Sequence, residues 1–275
     1  MLRLAVRVRR EHAEIVLAEL LSFAPAGVEE VDVTAGVVEY AVYGAPGELP
    51  ALPDLTAAAG DALVEVRTSE VADDWDRRWR SFHRPLVLGD RLAVRPPWEP
   101  PVRADVELVI DPGQAFGTGS HATTRLCLEL MLSLSPGGAL LDLGCGSGVL
   151  AIAAARLGWV PVVAVDYDPA SVEAATDNAR VNGVQIEVSR HDLRADPVLT
   201  APTVAANLLR PLLLTWAQRL AAASASMVPE VVIASGLLVA EADEVAGAFA
   251  GVGLAEAARR ESGEWAALLL RRPRT

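Results

Sequence analysis

The sequence is poor in the residues that build disulfide frameworks and metal centres. Its 275 residues include 2 cysteines and 4 histidines. Cys127 and Cys145 show no metal-ligand spacing, and two cysteines cannot supply the dense disulfides of a small secreted scaffold. We therefore expect two reduced thiols, no metal site and a cytoplasmic location.

Long apolar runs and an excess of positive charge are also missing. No window approaches the roughly 18 uninterrupted apolar residues of a spanning helix. Residues 1–16 alternate apolar and basic residues and have no apolar core of a signal peptide. The formal net charge of −12 repels phosphate backbones. We expect no membrane segment and no direct nucleic-acid partner, whereas a basic protein partner is compatible with this charge.

The chain length suits one large domain or two unequal ones. Residues 1–66 predict a small α+β module, because four strand patterns and two helical patterns follow the order βαββαβ of a ferredoxin-like fold. Residues 67–105 read as a connector rich in Trp, Arg and Pro, and its prolines at 96, 97, 100 and 101 exclude a regular helix there.

Residues 106–275 predict an α/β domain with a doubly wound, mostly parallel sheet of Rossmann-like type. The short apolar runs "ALLDLG", "VPVVAVD", "APTVAAN" and "EVVIAS" alternate with amphipathic helical segments, which is typical of buried parallel strands. The final stretch "VGLAEAARRESGEWAALLLRR" has two strand patterns around a polar turn. It predicts an antiparallel hairpin at the edge of the sheet.

A glycine-rich turn follows the first of these strands, in "ALLDLGCGSGVLAIAAARLG". Gly144, Gly146 and Gly148 allow a sharp turn and the close approach of a ligand, and the next helix directs free N–H groups into the same space. The spacing is G-x-G-x-G, and Val149 stands where a dinucleotide fingerprint has its third glycine. A nucleoside without a pyrophosphate therefore fits better than a dinucleotide, which leaves a nicotinamide-dependent oxidoreductase as the weaker alternative.

Two carboxylates belong to this predicted nucleoside site. Asp166 ends the next strand, where it can accept both ribose hydroxyls. Asp142 precedes the glycine turn and suits an ammonium or sulfonium better than a phosphate. Asp168, followed by Pro169, is predicted to cap the next helix.

The same residues resemble a known family. "LLDLGCGSGVLAIAA" with "AVDYDP" is similar to class I methyltransferases that use S-adenosylmethionine and release S-adenosylhomocysteine. "DPGQAFGTGSHATT" resembles the signature of the PrmA family, which methylates large-subunit ribosomal protein eleven. "DWDRRWRSFHRPLVLGDRLAVRPPW", "AANLLRPLL", "SGLL" and "GEW" support the match.

The resemblance implies a protein N-methyltransferase that acts on amino groups, of lysine side chains or the N-terminus, in a large-subunit ribosomal protein. Because an acidic enzyme should dock poorly on RNA-rich ribosomes, we expect it to modify the free protein before assembly, and we expect a monomer. Residues 1–66 would form a domain that recognises the substrate, and residues 106–275 would form the methyltransferase domain. Residues 67–105 would connect the two domains. The family's cofactor contacts fall on Thr123, Gly144, Asp166 and Asn207, and its loop over the cofactor falls on Phe116, Gly117 and Thr118.

Asn207 ends an apolar strand, where its carbonyl oxygen can orient an incoming amine, so we predict it as the catalytic residue. The alternative is a helix N-cap. Thr123 and Thr124 are predicted to open and cap the helix after the signature. His121 in the signature is either a proton acceptor or a residue that shapes the loop.

Two departures from the family pattern keep other functions open. Gln114 and Arg210 stand where the family has apolar and small residues, respectively. They motivate a lysine methyltransferase that acts on a different protein, such as an electron-transfer flavoprotein subunit. A binding module that keeps the fold without catalysis is a further alternative.

Overall fold

The fold is known from a computed structural model, which describes residues 2–10, 16, 29–34, 36–44, 63–70, 84–111 and 121–273. The chain divides into two compact units, Met1–Phe82 and His83–Thr275. The boundary between them falls within the predicted connector at 67–105.

The first unit contains a four-stranded antiparallel sheet. Its strands have the order β2-β3-β1-β4 across the sheet. The strands are β1 (Leu2–Arg9), β2 (Glu29–Thr34), β3 (Val37–Gly44) and β4 (Leu63–Glu70). The four strand patterns seen in the sequence are thus present, while the two predicted helices lie outside the described residues apart from a helical Val16.

Alternation along β1 gives this sheet one apolar and one charged face. Leu4, Val6 and Val8 are buried. On the other face of β1, Arg3 and Arg7 donate to the Glu39 carboxylate at 2.6 and 2.7 Å, which lowers the pKa of Glu39.

The second unit begins with a three-stranded sheet of β5 (Leu86–Leu88), β6 (Leu92–Arg95) and β7 (Val106–Val109). β5 and β6 are antiparallel, and β6 and β7 are parallel. The four prolines that exclude a helix lie between β6 and β7. Arg95 of β6 donates to Glu107 of β7 at 2.9 Å, so part of the predicted connector is paired sheet.

A seven-stranded sheet forms the centre of the second unit, in the order β10-β9-β8-β11-β12-β14-β13. Its strands are β8 (Leu140–Leu143), β9 (Val162–Asp166), β10 (Glu187–Arg190), β11 (Thr203–Asn207), β12 (Val231–Leu238), β13 (Ala255–Ser262) and β14 (Trp265–Arg271). The first five in spatial order are parallel, and β14 is antiparallel to both neighbours. The predicted α/β fold, the mostly parallel sheet and the terminal hairpin are confirmed.

Helices cover both faces of this sheet. They are α1 (Ala122–Leu132), α2 (Val149–Leu157), α3 (Pro169–Val181), α4 (Arg210–Ala222) and α5 (Ala242–Ala250), with short 3₁₀ helices at Ala225–Met227 and Val239–Glu241. Successive residues of β11 point to opposite faces. Ala205 packs in the core with α1, α2 and α3, whereas Val204 and Ala206 pack with α4 and α5. No helix among the described residues has the length and apolar character needed to cross a bilayer.

Candidate active site

The carboxyl ends of β8, β9 and β11 meet where the strand order reverses. β8 lies between β9 and β11, and in open α/β sheets ligands bind in the crevice at such a switch point. The glycine turn follows β8, Asp166 ends β9 and Asn207 ends β11. The structure therefore brings these predicted site residues to one edge of the sheet.

The glycine turn is held by backbone bonds and by the protein packed against it. Gly144, Gly146 and Gly148 have φ angles of 78°, 52° and 81°, which side chains disfavour. A Cβ at Gly144 would lie 2.3 Å from Leu208 Cδ2, and one at Gly148 would lie 2.9 Å from Ala175 Cβ. Packing of the protein on itself is thus sufficient reason for glycine at 144 and 148, and their contact with a cofactor stays a prediction.

The Asp166 carboxylate is oriented by two backbone donors. Its Oδ2 accepts from the Gly146 N–H at 2.9 Å and its Oδ1 from the Asp168 N–H at 3.0 Å. Each carboxylate oxygen can accept a second bond, so this acid can still receive hydroxyl donors. Asp168 in turn accepts from the Ala170 N–H at 3.0 Å, which confirms its predicted role as the cap of α3.

Asp142 is fully buried behind the turn. Its Oδ2 accepts from the Ala151 N–H at 3.0 Å, and its Oδ1 has no hydrogen-bond partner in the described part of the chain. Burial raises the pKa of Asp142 to about 7, and the charge of Asp166 adds to the effect. Ionisation of this acid would be favoured by a cationic or N–H donor ligand.

Asn207 presents a buried acceptor at the end of β11. Its Oδ1 is buried and has no partner among the described residues, and its Nδ2 lies 3.5 Å from Thr124 Oγ1. Helix α4 begins two residues too late for Asn207 to cap it, and the N-cap position is Leu209. The alternative role as a helix cap is therefore wrong.

His121, and neither threonine, caps helix α1. The ring Nδ1 accepts from the Thr123 N–H at 3.3 Å and lies 2.8 Å from Thr123 Oγ1, so the prediction of a threonine cap is wrong. The imidazole ring also packs edge-on against the Trp265 ring, with 4.8 Å between the two ring centroids. Burial lowers the pKa of His121 despite nearby Glu264. The helix can begin with this residue because a neutral imidazole nitrogen accepts a hydrogen bond as a carboxylate does.

The structure describes only one of the other residues that are predicted to contact the cofactor. Thr123 is 1 % exposed, and its hydroxyl is engaged with His121. Phe116, Gly117 and Thr118 lie outside the described residues.

Asn178 of α3 and Asn182, the C-cap residue of that helix, hold the chain that leads into the signature stretch. Asn178 accepts from the Asp111 N–H at 2.9 Å and donates to the carbonyls of Asp111 and Ser147 at 3.1 and 3.0 Å. Asn182 bonds the N–H and C=O of Val109 at 2.8 and 2.7 Å. Sequence reasoning missed both residues, although their spacing of four on one helix was a visible signal.

The donor set fits an organic ligand with N–H and O–H groups. Two buried oxygens, Asp142 Oδ1 and Asn207 Oδ1, lack partners in the part of the chain that is described. In that same part no three metal-ligating side chains come together. An adenosine joined to an amino acid carries ribose hydroxyls and an ammonium, which suit acceptors of this kind.

Comparison with known proteins identifies similar chains. The family model "Ribosomal protein L11 methyltransferase (PrmA)" matches residues 48–273. The ribosomal protein L11 methyltransferase of Pelotomaculum thermopropionicum is 42% identical over 215 residues, which covers 76% of this chain and 69% of that protein. The one from Burkholderia multivorans is 39% identical over 275 residues, with 90% of each chain covered. A crystal structure of ribosomal protein L11 methylase from Lactobacillus delbrueckii subsp. bulgaricus aligns with a TM-score of 0.61 at 30% identity and covers 70% of this chain and 100% of that one.

Proposed function

The chain belongs to the ribosomal protein L11 methyltransferase (PrmA) family, and on this premise we propose that it methylates amino groups of free ribosomal protein L11. As a member of that family it is a protein methyltransferase that depends on S-adenosylmethionine. The observation that carries the proposal is the buried Oδ1 of Asn207 at the switch point, which has no hydrogen-bond partner among the described residues.

Several residues at this edge would hold the cofactor. Asp166 would accept the ribose hydroxyls, since its two oxygens are already aimed by backbone donors. Asp142 would face the ammonium. Gly144, Gly146 and Thr123 would complete the cradle. We also propose that Phe116, Gly117 and Thr118 form the loop that covers the cofactor. When bound, S-adenosylmethionine supplies a methyl group on a sulfonium that an amine can displace.

Asn207 would orient the amine. A buried amide oxygen accepts one amine hydrogen, so the nitrogen lone pair is turned away from Asn207 and towards the methyl donor. An amine that enters a poorly solvated site loses its proton more easily because burial disfavours the charged form. A dedicated base is then unnecessary. The engagement of His121 Nδ1 with Thr123 supports a structural role for that histidine.

The first unit would recognise the protein substrate. The sheet order β2-β3-β1-β4 is the one that a βαββαβ chain gives in a ferredoxin-like module, and it supports this fold for residues 1–66. Residues 67–105 would link it to the catalytic domain at 106–275. With a net charge of −12, the enzyme would avoid ribosomal RNA and would therefore bind L11 before assembly. We further propose that it acts as a cytoplasmic monomer.

Arg210 does not favour a different substrate. Its guanidinium pairs with Glu241 at 3.1 Å and with Glu244 at 2.7 Å. Arg210, which departs from the family pattern, is thus paired with acidic residues at the start of α5.

A labelling experiment tests the proposed function. Enzyme is incubated with methyl-labelled S-adenosylmethionine and either free L11 or intact large subunits. The chain contains no lysine, so any labelled methyl-lysine belongs to the substrate. We expect label on free L11 and much less on the subunits. Equal labelling of both contradicts the preference for free protein, and an unlabelled L11 contradicts the substrate.

Variants of Asn207 test the site. Asn207→Leu should lower kcat far more than it weakens cofactor binding and leave a small, measurable rate of transfer, whereas Asn207→Asp keeps an acceptor oxygen of the same size and should retain more transfer. Unchanged kcat in Asn207→Leu would remove this residue from the mechanism.

A further inference from the structure

We propose that Gly236, in the "SGLL" stretch of β12, is a positioning residue for methyl transfer. It lets the backbone of Leu208 lie directly against β12, and it thereby fixes the amide of the neighbouring Asn207. The inference rests on the proposed role of Asn207, and it assigns a task to a stretch that the cofactor site does not use.

The contact between Gly236 and Leu208 is between main chains. Gly236 has a φ of 82°. A Cβ placed there would lie 2.5 Å from Leu208 O, 2.7 Å from Leu208 C and 3.0 Å from Leu208 N. No rotamer change relieves such a collision, because all three atoms belong to the backbone. A side chain at 236 would have to displace the chain that follows Asn207.

Strand β12 is shaped for this approach. Its pairing with β14 shifts register between Ser235 and Leu237, which is the irregularity expected where a glycine with positive φ interrupts a strand. The Leu208 N–H donates to Ser235 O at 2.9 Å, and the Ser235 hydroxyl donates to Ala266 O at 2.8 Å. The segment after Asn207 is thus bonded to β12, which is bonded in turn to β14.

Leu208 is held from the opposite side as well. Its Cδ2 occupies the space beside Gly144, in the turn after β8. β8 and β12 are the two neighbours of β11 in the sheet. Leu208 therefore lies between two glycines of positive φ, one from each flanking strand.

The side chain of Asn207 depends on this backbone for its orientation. Its Nδ2 has one long contact of 3.5 Å with Thr124, and its Oδ1 has no partner among the described residues. Hydrogen bonds from the described residues therefore contribute little to fixing the amide. The fixed backbone at Leu208 supplies the restraint that the side chain lacks.

The experiment compares Gly236→Ala with Gly253→Ala. Both positions have positive φ, of 82° and 85°, but a Cβ at Gly253 meets nothing within 4 Å. Both variants place a side chain on a backbone with positive φ, but only in Gly236→Ala does the new Cβ collide with the Leu208 backbone. We expect kcat on L11 to fall about tenfold or more in Gly236→Ala and to stay within about twofold of wild type in Gly253→Ala. The Kd for S-adenosylhomocysteine should change far less than kcat in both.

A double-variant cycle separates positioning from general damage. In an Asn207→Leu background, Gly236→Ala should cost almost no further activity, since the group on which it acts is gone. Additive losses overturn the proposal, and so does a Gly236→Ala enzyme whose kcat matches that of Gly253→Ala. Wild-type transfer to L11 is measured first, so failure of the proposed function is recognised independently.

A second pair of variants applies if Gly236→Ala does not fold. Leu208→Ala and Leu208→Gly both remove the side chain, but only glycine frees the backbone. Transfer should be several-fold lower in the glycine variant at similar cofactor Kd. Equal activity in the two would overturn the proposal.

Discussion

Replacing Asp142 by asparagine should remove a large part of the pH dependence of stability in the second unit. The carboxyl is 0% exposed and receives one backbone hydrogen bond, from Ala151. Burial raises its pKa from the ordinary 3.8 to about 7. Asparagine has the same shape, can accept the same bond and does not titrate.

The sign follows from proton binding. The folded state holds the Asp142 proton more tightly than the unfolded state does, so stability falls as the pH rises from about 4 to about 7 and is level above that. Each pH unit between the unfolded and folded pKa values changes the free energy of unfolding by about 1.36 kcal/mol, which gives about 4 kcal/mol over the whole interval. The free energy of unfolding of Asp142→Asn, relative to wild type, should therefore rise by up to about this amount between pH 4 and pH 8.

Hydrogen exchange of the β8 amides measures this difference, because these amides report opening of the second unit alone. Asp177→Asn is the control, since its carboxylate lies on the surface of α3 with 59% exposure. Taking variant minus wild type cancels the titrating groups that do not interact with Asp142. The reasoning is refuted if the stability difference is the same at pH 5 and pH 8, or if Asp177→Asn changes with pH as strongly as Asp142→Asn.

Three further outcomes follow from the structure. Alanine at Asn178 or Asn182 removes two or more hydrogen bonds to buried or partly buried backbone groups, so each should lower the free energy of unfolding by about 2–4 kcal/mol. A loss below about 1 kcal/mol in urea unfolding would contradict the bonds described. His121→Asn should keep the cap of α1 and the wild-type pH profile of transfer, whereas a flattened profile would reveal proton transfer by the histidine. Burial raises the pKa of Cys127 to about 12 and that of Cys145 above its ordinary value, so a disulfide reagent should label neither thiol in the native enzyme. Prompt labelling of either thiol would contradict this expectation, and labelling of Cys145 would mean that the glycine turn opens.

The sequence was sufficient for the parts of the fold that depend on local pattern. Continuous apolar strands, the glycine turn and the acid at the end of β9 follow from periodicity and from backbone freedom. Asp168 was identifiable as a cap because Asp followed by Pro is a strong helix start.

Other features depend on contacts distant in sequence, which no local pattern contains. Leu208 fills the space beside Gly144, so a glycine that suggests a ligand from sequence alone is also explained by packing. His121 caps α1 because the helix begins at Ala122, so its cap lies two residues before the first threonine. The parallel pairing of β6 with β7 joins strands on either side of a proline-rich stretch, where composition predicts only a linker.

The position of Leu208 between Gly144 and Gly236 also limits the order in which substitutions can accumulate during evolution. At 144 the positive φ disfavours any side chain, and the steric obstacle is the Leu208 side chain, so a smaller residue at 208 would create room for a Cβ before one appears. At 236 the obstacle is the Leu208 backbone, which every amino acid shares. Drift at 144 is therefore conditional on position 208, whereas no exchange at 208 opens position 236. Related enzymes that carry a side chain at 236 should have moved the whole segment after the strand-end asparagine.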